Sequence, residues 1–482
     1  MTALDLNVAI VGAGPAGIYA GNLLANAVKE QGGSVAIDLF ESLPAPYGLI
    51  RYGVAPDHPR IKGIVTSLHE MLDAASPSAD RRSIRFIGNV EVGRDIALAE
   101  LQERYDAVII ATGAIRDAAL DIPGIDLPGS FGAADFVAWY DGHPDVPRTW
   151  DLPEASVAVI GNGNVALDVA RVLAKHEPDL RSTEAPDNVL AGLAQSSVTD
   201  VHVFGRRGPQ DIKFTPIELR ELGEVRDVDI ILHDEDFQYL EDWVAPNNQY
   251  KVMLRTLQQW RDRPTGEASR RLHLHFYHAP VEVLGSPETG VEAVRFERTI
   301  PDAAGSVTGT GEFREIAVGQ VYRAVGYYGT PVVDAPFDER RGVVPNVEGR
   351  VVDADGTPIA GLYATGWIKR GPVGLIGHTK SDALETIGHV VADALAAHAS
   401  RPEALRPEPD APRPEAFEGQ SPSIFEVLTE RGVEYTTWEG WLQLDAHERT
   451  LGADHEYTRE RVKVVDRDAQ VAISRASVPA NA

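Results

Sequence analysis

The sequence of 482 residues contains no cysteine. This absence excludes disulfide bonds, cysteine-ligated iron–sulfur clusters, zinc–thiolate sites and redox-active cysteine pairs on this chain. No apolar run reaches the ~18 residues that a membrane-spanning helix requires. The first residues carry no basic segment ahead of the first predicted strand, so we expect no signal peptide and a cytoplasmic protein. We also predict no metal site.

Basic residues are few compared with acidic ones. The chain has 45 Lys and Arg against 72 Asp and Glu, for a formal net charge of −27. Such a balance argues against nucleic acids and anionic membranes as partners. The hydrophobic fraction of 43% is typical of a globular protein. At ~150 residues per domain, the length favours roughly three domains.

The first motif lies close to the amino terminus. Four apolar residues, 8–11, lead into Gly12, Gly14 and Gly17 and then into an apolar segment, a pattern that predicts a strand, a tight turn and a helix. The first glycine makes the turn, the second lets the backbone approach a pyrophosphate, and the third lets helix and strand pack closely. A second predicted strand ends at Glu41, where an acid can accept a hydrogen bond from a ribose 2′-hydroxyl. The alternative is a plain glycine turn followed by a surface glutamate.

The same pattern returns at residues 157–171 with Gly161, Gly163 and Ala166. The strand predicted after it ends in Arg206 and Arg207 instead of an acid. Arginines bind a 2′-phosphate through charge-assisted hydrogen bonds, whereas an acid repels it. The chain is therefore predicted to bind two dinucleotides, one without a 2′-phosphate and one with it, as in NADP. The alternative for the two arginines is a solvated turn.

Other segments are less specific. Residues 42–59 are rich in Gly and Pro yet apolar, which suits either a loop around a flat cofactor or a rigid connection. Thr215, Pro216 and Glu218 are typical of a capped helix start, so Glu218 has a structural explanation. We predict a short strand at 90–92, a helix at 379–397, a proline-rich linker at 401–422, and packing of the tail around Trp438 and Trp441 on the first domain.

Four segments together resemble the adrenodoxin reductase-like ferredoxin–NADP reductases. They are residues 12–17 (GAGPAG), 47–59 (YGLIRYGVAPDHP), 161–168 (GNGNVALD) and 366–374 (GWIKRGPVG). The resemblance covers essentially the whole chain. It implies an α/β fold with two Rossmann-like domains, in which an NADP-binding domain (116–327) is inserted into a discontinuous FAD-binding domain (1–115 and 328–482).

The resemblance also implies the residues that contact each cofactor. Beside the glycines of the first motif, those for FAD are Ala16, Glu41, Leu49, Val92, Trp367, Gly374, Leu375 and Ile376. Those for NADP are Asn162, Gly163, Asn164, Val165, Arg206, Arg207, Glu218 and Gly374.

The implied activity is hydride transfer from NADPH to FAD, followed by single-electron transfer to a ferredoxin. Hydride transfer requires alignment more than a strong acid or base. His58 and Glu218 are the ionisable residues in family-like positions near the nicotinamide. Each is assigned either a direct proton role or a structural one, namely orientation for His58 and helix capping or nicotinamide anchoring for Glu218. We expect a monomer.

Three alternatives remain open at this point. An electron-input subunit or disulfide reductase would require cysteines, which the chain lacks. A flavin monooxygenase also has two dinucleotide motifs, and a nucleotide-sensing module would bind without turnover. For the acidic ferredoxin partner, we predict one basic docking face, whose alternative is a solvated basic helix; it consists of Lys251, Arg255, Arg261, Arg263, Arg270 and Arg271.

Overall fold

Parallel β-sheets with helices packed on them dominate the fold. The computed structural model describes residues 4–73, 83–240, 245–302, 306–374, 376–400 and 422–476. The strands are β1 (Asp5–Val11), β2 (Ser34–Phe40), β3 (Ser83–Ile87), β4 (Ala107–Ile110), β5 (Arg116–Asp117), β6 (Ser130–Gly132), β7 (Ser156–Ile160), β8 (Asp200–Phe204), β9 (Val228–Leu232), β10 (Arg270–His275), β11 (His278–Ser286), β12 (Gly290–Pro301), β13 (Val307–Ala317), β14 (Gln320–Arg323), β15 (Tyr327–Tyr328), β16 (Asn346–Val347), β17 (Arg350–Val352) and β18 (Pro358–Ala364). The helices are α1 (Pro15–Glu30), α2 (Leu49–Tyr52), α3 (Pro59–Lys62), α4 (Ile64–Asp73), α5 (Leu98–Arg104), α6 (Ala133–Tyr140), α7 (Asn164–Ala174), α8 (Asp187–Ala194), α9 (Pro216–Gly223), α10 (Asn248–Arg261), α11 (Trp367–Arg370), α12 (Ile376–Ser400), α13 (Ile424–Glu430), α14 (Trp438–Asp454) and α15 (Arg467–Ser474).

The first sheet has seven strands in the order β16-β17-β18-β4-β1-β2-β3. Its strands β18, β4, β1, β2 and β3 are parallel, and β1 lies at the centre as a nearly continuous buried apolar run. Such runs are typical of strands covered on both faces. The core on one face includes residues of α1 and α12 together with Trp438 and Trp441 of α14. The predicted packing of the tail on this domain is therefore confirmed.

The second sheet has six parallel strands in the order β6-β14-β7-β8-β10-β9, and all of them lie between residues 130 and 323. A three-stranded antiparallel sheet, β11-β12-β13, packs beside it. The short antiparallel pair β5 and β15 joins the two points where the chain passes between the large sheets. The predicted α/β class with two Rossmann-like domains is confirmed. The boundaries 1–115, 116–327 and 328–482 stay a prediction, which the position of this pair supports.

Local predictions had mixed outcomes. The capped helix after Thr215 is confirmed as α9, and the helix predicted at 379–397 is α12. The strand predicted at 90–92 is wrong, because the strand is β3 and ends at Ile87 before Asn89 turns the chain with a φ of 58°. The linker predicted at 401–422 lies outside the described residues, apart from Pro422. Among the described helices, none is long and apolar enough to cross a membrane.

Candidate dinucleotide sites

A cavity of about 790 Å³ lies at the carboxyl ends of β1, β2 and β4. Ligands of parallel α/β sheets bind at this edge. The predicted contact residues that line the cavity are Gly12, Gly14, Ala16, Glu41, Leu49, Val92 and Trp367. Of the other predicted contacts, Gly17 and Gly374 are not in its lining, Ile376 begins α12, and Leu375 lies outside the described residues.

The backbone of this cavity fits a bound dinucleotide. Gly12 has a φ of +111°, and a Cβ on it would lie 2.5 Å from the carbonyl oxygen of Ala111, so the turn requires glycine. Gly14 is the N-cap of helix α1 and provides no side-chain cap, which leaves the first N–H groups of the helix for phosphate oxygens. The Thr112 hydroxyl is buried at the cavity wall, and no described residue offers it a hydrogen-bond partner. These unused donors match a polar ligand.

The Glu41 carboxylate is fixed at the end of β2 by backbone groups. Its Oε2 accepts a hydrogen bond from Ala13 N at 2.8 Å, and its Oε1 accepts one from Leu43 N at 3.1 Å. Burial raises the pKa of Glu41, although these amide hydrogen bonds act in the opposite direction. An acid held in this position can accept from a ribose hydroxyl and disfavours a 2′-phosphate.

The second glycine turn repeats this construction at the start of α7. Gly161 has a φ of +150°, and its Cβ would lie 2.1 Å from the carbonyl oxygen of Ala324. A Cβ on Gly163, by contrast, would meet no atom of the described residues within 4 Å, and Gly163 is the N-cap of α7 with no side chain to cap it. The neighbouring Asn164 accepts a hydrogen bond from Thr215 N at 3.2 Å. The turn is therefore tight on the protein side and open on the other.

Arg206 and Arg207 follow β8 beside this turn. Arg206 is exposed and Arg207 is half-buried, and within the described residues neither guanidinium takes part in a hydrogen bond or an ion pair. Their backbone is nevertheless held, because Arg206 O accepts from Thr299 Oγ1 at 2.7 Å. On the adjacent strand β10, Arg271 already donates to both carboxylate oxygens of Asp200 at 2.6 Å. The two unpaired guanidinium groups suit a phosphate.

Substitutions of the two glycines in the second turn are expected to have different effects. Gly163→Ala is expected to fold normally but to raise the KM for NADPH about tenfold or more, since the new methyl fills the space where a pyrophosphate approaches. Gly161→Ala is expected to lower the melting temperature, because its Cβ meets backbone and its φ is strained. Thermal denaturation and steady-state kinetics measure both effects. Equal destabilisation by the two substitutions would contradict the assignment of Gly163 to ligand binding and of Gly161 to the backbone turn.

His58 lies in a buried ion-pair network between the two large sheets. Its Nε2 lies 2.7 Å from Asp168 Oδ1 of α7, and its Nδ1 lies 2.6 Å from Glu221 Oε2 of α9. Burial alone would lower the pKa of His58, but the hydrogen bond and the charge of Asp168, together with the charge of Asp57, outweigh burial and the pKa is raised. His58 is 1% exposed and does not line the 790 Å³ cavity. This geometry favours orientation over a direct proton role, which stays untested.

Arg171 of α7 completes this network. It donates from Nε and Nη2 to both carboxylate oxygens of Asp57, each at 2.8 Å, and from Nη1 to Asp168 at 2.8 Å. Lys175 also contacts Asp57, at 2.6 Å. The sequence analysis missed Asp57, Asp168 and Arg171. Two features of the sequence could have indicated these residues. Asp57 is adjacent to His58, and Asp168 lies within the second glycine motif.

Glu218 has a structural role in α9. It is buried, and its Oε2 accepts a hydrogen bond from Thr215 N at 3.2 Å, which is the predicted capping contact. The two ends of α9 thus contact both parts of the candidate site, because Thr215 N also donates to Asn164 and Glu221 contacts His58. A direct proton role for Glu218 stays a prediction.

The predicted basic docking face is wrong as a single surface. Arg270 is buried and donates to the carbonyl oxygens of Leu173 and Lys175, because the first residue of β10 turns inward. Arg261 and Arg271 are paired with aspartates. The other three residues of the predicted face are Lys251, Arg255 and Arg263. They are exposed, and the described residues offer them no ion-pair partner.

Two glycine turns on two parallel sheets, one followed by an acid and one by free arginines, define a flavoprotein-type reductase with two dinucleotide sites. The family model for pyridine nucleotide-disulphide oxidoreductases matches residues 6–202. NADPH-ferredoxin reductase FprA of Mycobacterium tuberculosis is 38% identical over 464 residues, which is 95% of this chain and 96% of that protein. Mitochondrial NADPH:adrenodoxin oxidoreductase of Bos taurus is 36% identical over 470 residues, at 94% and 89% coverage. The structure of M. tuberculosis FprA in complex with NADPH superposes with a TM-score of 0.86 at 36% identity, covering 98% of this chain and 100% of that one. The chain belongs to the adrenodoxin reductase-like ferredoxin–NADP reductases.

Proposed function

We propose that this chain takes a hydride from NADPH onto a bound FAD and delivers electrons one at a time to a ferredoxin. The observation that carries the proposal is the contrast between the two strand ends. Glu41 suits a dinucleotide with a free ribose hydroxyl, and Arg206 with Arg207 suits one with a 2′-phosphate. Membership of the family makes the protein an NADPH-ferredoxin oxidoreductase.

The flavin, when bound, accepts two electrons as a hydride and releases them singly. Two sets of contacts on this chain position residues of the two sites. Gly366 N donates to Asp382 Oδ2 at 2.5 Å, which anchors the start of α11 and so places Trp367 at the cavity wall. The ion pairs between Asp57 and Arg171 hold the loop ahead of α3 against α7. This alignment is what hydride transfer requires.

An anaerobic titration tests the proposed function directly. We expect acid precipitation of the purified protein to release FAD, not FMN, into the supernatant. We expect NADPH to bleach the flavin band, and oxidised ferredoxin to restore it. A protein without flavin, or a flavin that NADPH does not bleach, would contradict the proposal. A reduced flavin that does not transfer electrons to ferredoxin but hydroxylates a substrate with O₂ would favour a monooxygenase.

The exposed cations on α10 and after it are the proposed contact for an acidic ferredoxin. The variant with Arg255→Glu and Arg263→Glu is expected to slow ferredoxin reduction about tenfold at low salt, because charge complementarity raises the association rate. NADPH-to-ferricyanide turnover should not change. Added salt should also slow the wild-type reaction, since exposed charges are screened beyond ~8–10 Å.

Arg340→Glu is the control for this variant, because Arg340 is exposed but lies outside the second sheet. Normal ferredoxin reduction by the double variant at low salt would place the docking surface elsewhere. The monomeric state and the cytoplasmic location stay predictions, and sedimentation velocity tests the first.

A further inference from the structure

Three histidine side chains meet on one face of the second sheet. His202 lies on β8, and His273 and His275 lie on the adjacent parallel strand β10. His202 and His273 are register partners, and His275 points to the same face because side chains alternate along a strand. One ring nitrogen of each imidazole lies within 4.8 Å of one nitrogen of each of the others. His202 Nδ1 and His275 Nε2 are 3.0 Å apart.

An ion-paired aspartate orients one of these rings. Asp200 Oδ1 lies 2.9 Å from His273 Nε2, and both oxygens of Asp200 are fixed by Arg271 at 2.6 Å. A proton on Nε2 that is donated to this carboxylate leaves the Nδ1 lone pair of His273 available. Metal-binding histidines commonly have such a carboxylate on the second ring nitrogen.

Two of the rings, His202 and His273, are half-buried, and the third, His275, is buried. A fourth imidazole, His233, stacks on His275 with ring centroids 5.0 Å apart, and its buried Nε2 has no hydrogen-bond partner within the described part of the chain. The three histidines do not line the 790 Å³ cavity, and the proposed hydride transfer assigns them no role.

We infer that His202, His273 and His275 form a binding site for a divalent transition-metal ion of the zinc class. Imidazole nitrogens suit zinc, copper and nickel, and zinc binds them at about 2.0–2.1 Å. The separation of 3.0 Å between His202 and His275 is close to what one shared ion requires, and the chosen nitrogens of all three rings lie within 4.8 Å of one another. The rings now stack at interplanar angles of 9–20°, so binding one ion requires them to turn until their lone pairs converge.

Such an ion would cross-link β8 and β10 beside the 2′-phosphate residues. The His275 ring stacks on Phe204 at a centroid distance of 4.5 Å, and Gly205 N donates to His275 O at 2.9 Å, directly ahead of Arg206. The sequence analysis named no metal site because the ligands are spread over distant segments, with His202 and His275 73 residues apart. The competing explanation is a stack of aromatic rings without an ion, since His202 and His273 stack at 4.2 Å.

Zinc titration of the tag-free holoenzyme tests the site. Protein treated with a chelator and then dialysed is titrated with Zn²⁺ against a chromophoric competitor. We expect one equivalent of Zn²⁺ to bind, and His202→Asn and His273→Asn each to weaken binding about tenfold or more. His447→Asn, at an exposed position on α14, is the matched control and should bind like the wild type.

Two further measurements separate loss of the site from loss of the fold. Each variant must keep the flavin spectrum and the melting temperature of metal-free wild type. If a histidine variant fails to fold, Asp200→Asn replaces it and should weaken Zn²⁺ binding about tenfold. Absence of stoichiometric binding, or equal affinity in wild type and in the folded variants, would overturn the inference. The cluster would then be explained as a stack of aromatic rings without an ion.

Discussion

Alanine at both Arg206 and Arg207 is expected to reduce the preference for NADPH over NADH by about two orders of magnitude or more. Both guanidinium groups lack protein partners among the described residues, so their hydrogen bonds are available to the 2′-phosphate. A hydrogen bond to a charged group contributes roughly 1.5–3 kcal/mol, and the variant loses at least two of them. Because NADH has no 2′-phosphate, its kcat/KM should change little.

The measurement is kcat/KM for both nucleotides with ferricyanide as acceptor. Arg295→Ala is the matched control, since Arg295 is already paired with Glu315 on the neighbouring strand. Lysine at both positions should give an intermediate preference, because it keeps the charge but loses the planar fork of donors. Equal losses of kcat/KM for NADPH and NADH in the double alanine variant would show that the arginines do not bind the 2′-phosphate.

The parts of the fold predicted from the sequence are those that neighbouring residues determine. The strand, glycine turn and helix at Gly12 are encoded within a few residues, because a Cβ there would meet backbone and the flanking run is apolar. The capped start of α9 is equally local, since Glu218 and Thr215 are three residues apart. Sequence spacing alone therefore located both turns, and it placed the ends of β2 and β8 within one to three residues of their observed ends at Phe40 and Phe204.

The remainder depends on residues that are distant along the chain. The partners of His58 at Asp168 and Glu221 lie more than a hundred residues away, so nothing near His58 distinguishes an oriented side chain from an acid–base group. The six basic residues at 251–271 looked like one face because local sequence does not show that β10 turns Arg270 into the protein. The His202 cluster was missed for the same reason, since strand register alone brings it together.

Replacing Arg171 with methionine is expected to destabilise the protein by about 3–5 kcal/mol, the usual result of leaving a buried charge unpaired. Arg171 is 1% exposed and pairs with Asp57 and Asp168. Burial alone would raise the pKa of Asp57, but the hydrogen bonds and charges of Arg171 and Lys175 together outweigh burial and hold that pKa well below its usual value. Methionine fills a similar volume but supplies no donor.

The sign of the pH effect follows from the lowered pKa of Asp57. A carboxyl whose pKa is depressed in the folded state adds stability above its unfolded pKa, near ~3.9, and loses it as the pH falls. The difference in unfolding free energy between wild type and Arg171→Met should therefore be largest near neutral pH and should narrow below about pH 4. Urea unfolding followed by circular dichroism at several pH values measures this difference.

Arg94→Met is the control for the Arg171 experiment, because Arg94 is 61% exposed in its pair with Glu91 and exposed pairs contribute about 0–1 kcal/mol. If Arg171→Met loses no more stability than Arg94→Met, the buried network does not hold the two sheets together. If Arg171→Met is strongly destabilised yet keeps the wild-type hydride-transfer rate while folded, the network acts on stability alone. A slower hydride transfer in the folded variant would instead show that the contact between Asp57 and Arg171 also aligns the two dinucleotide sites, because a small misplacement of the reacting atoms is enough to reduce the rate.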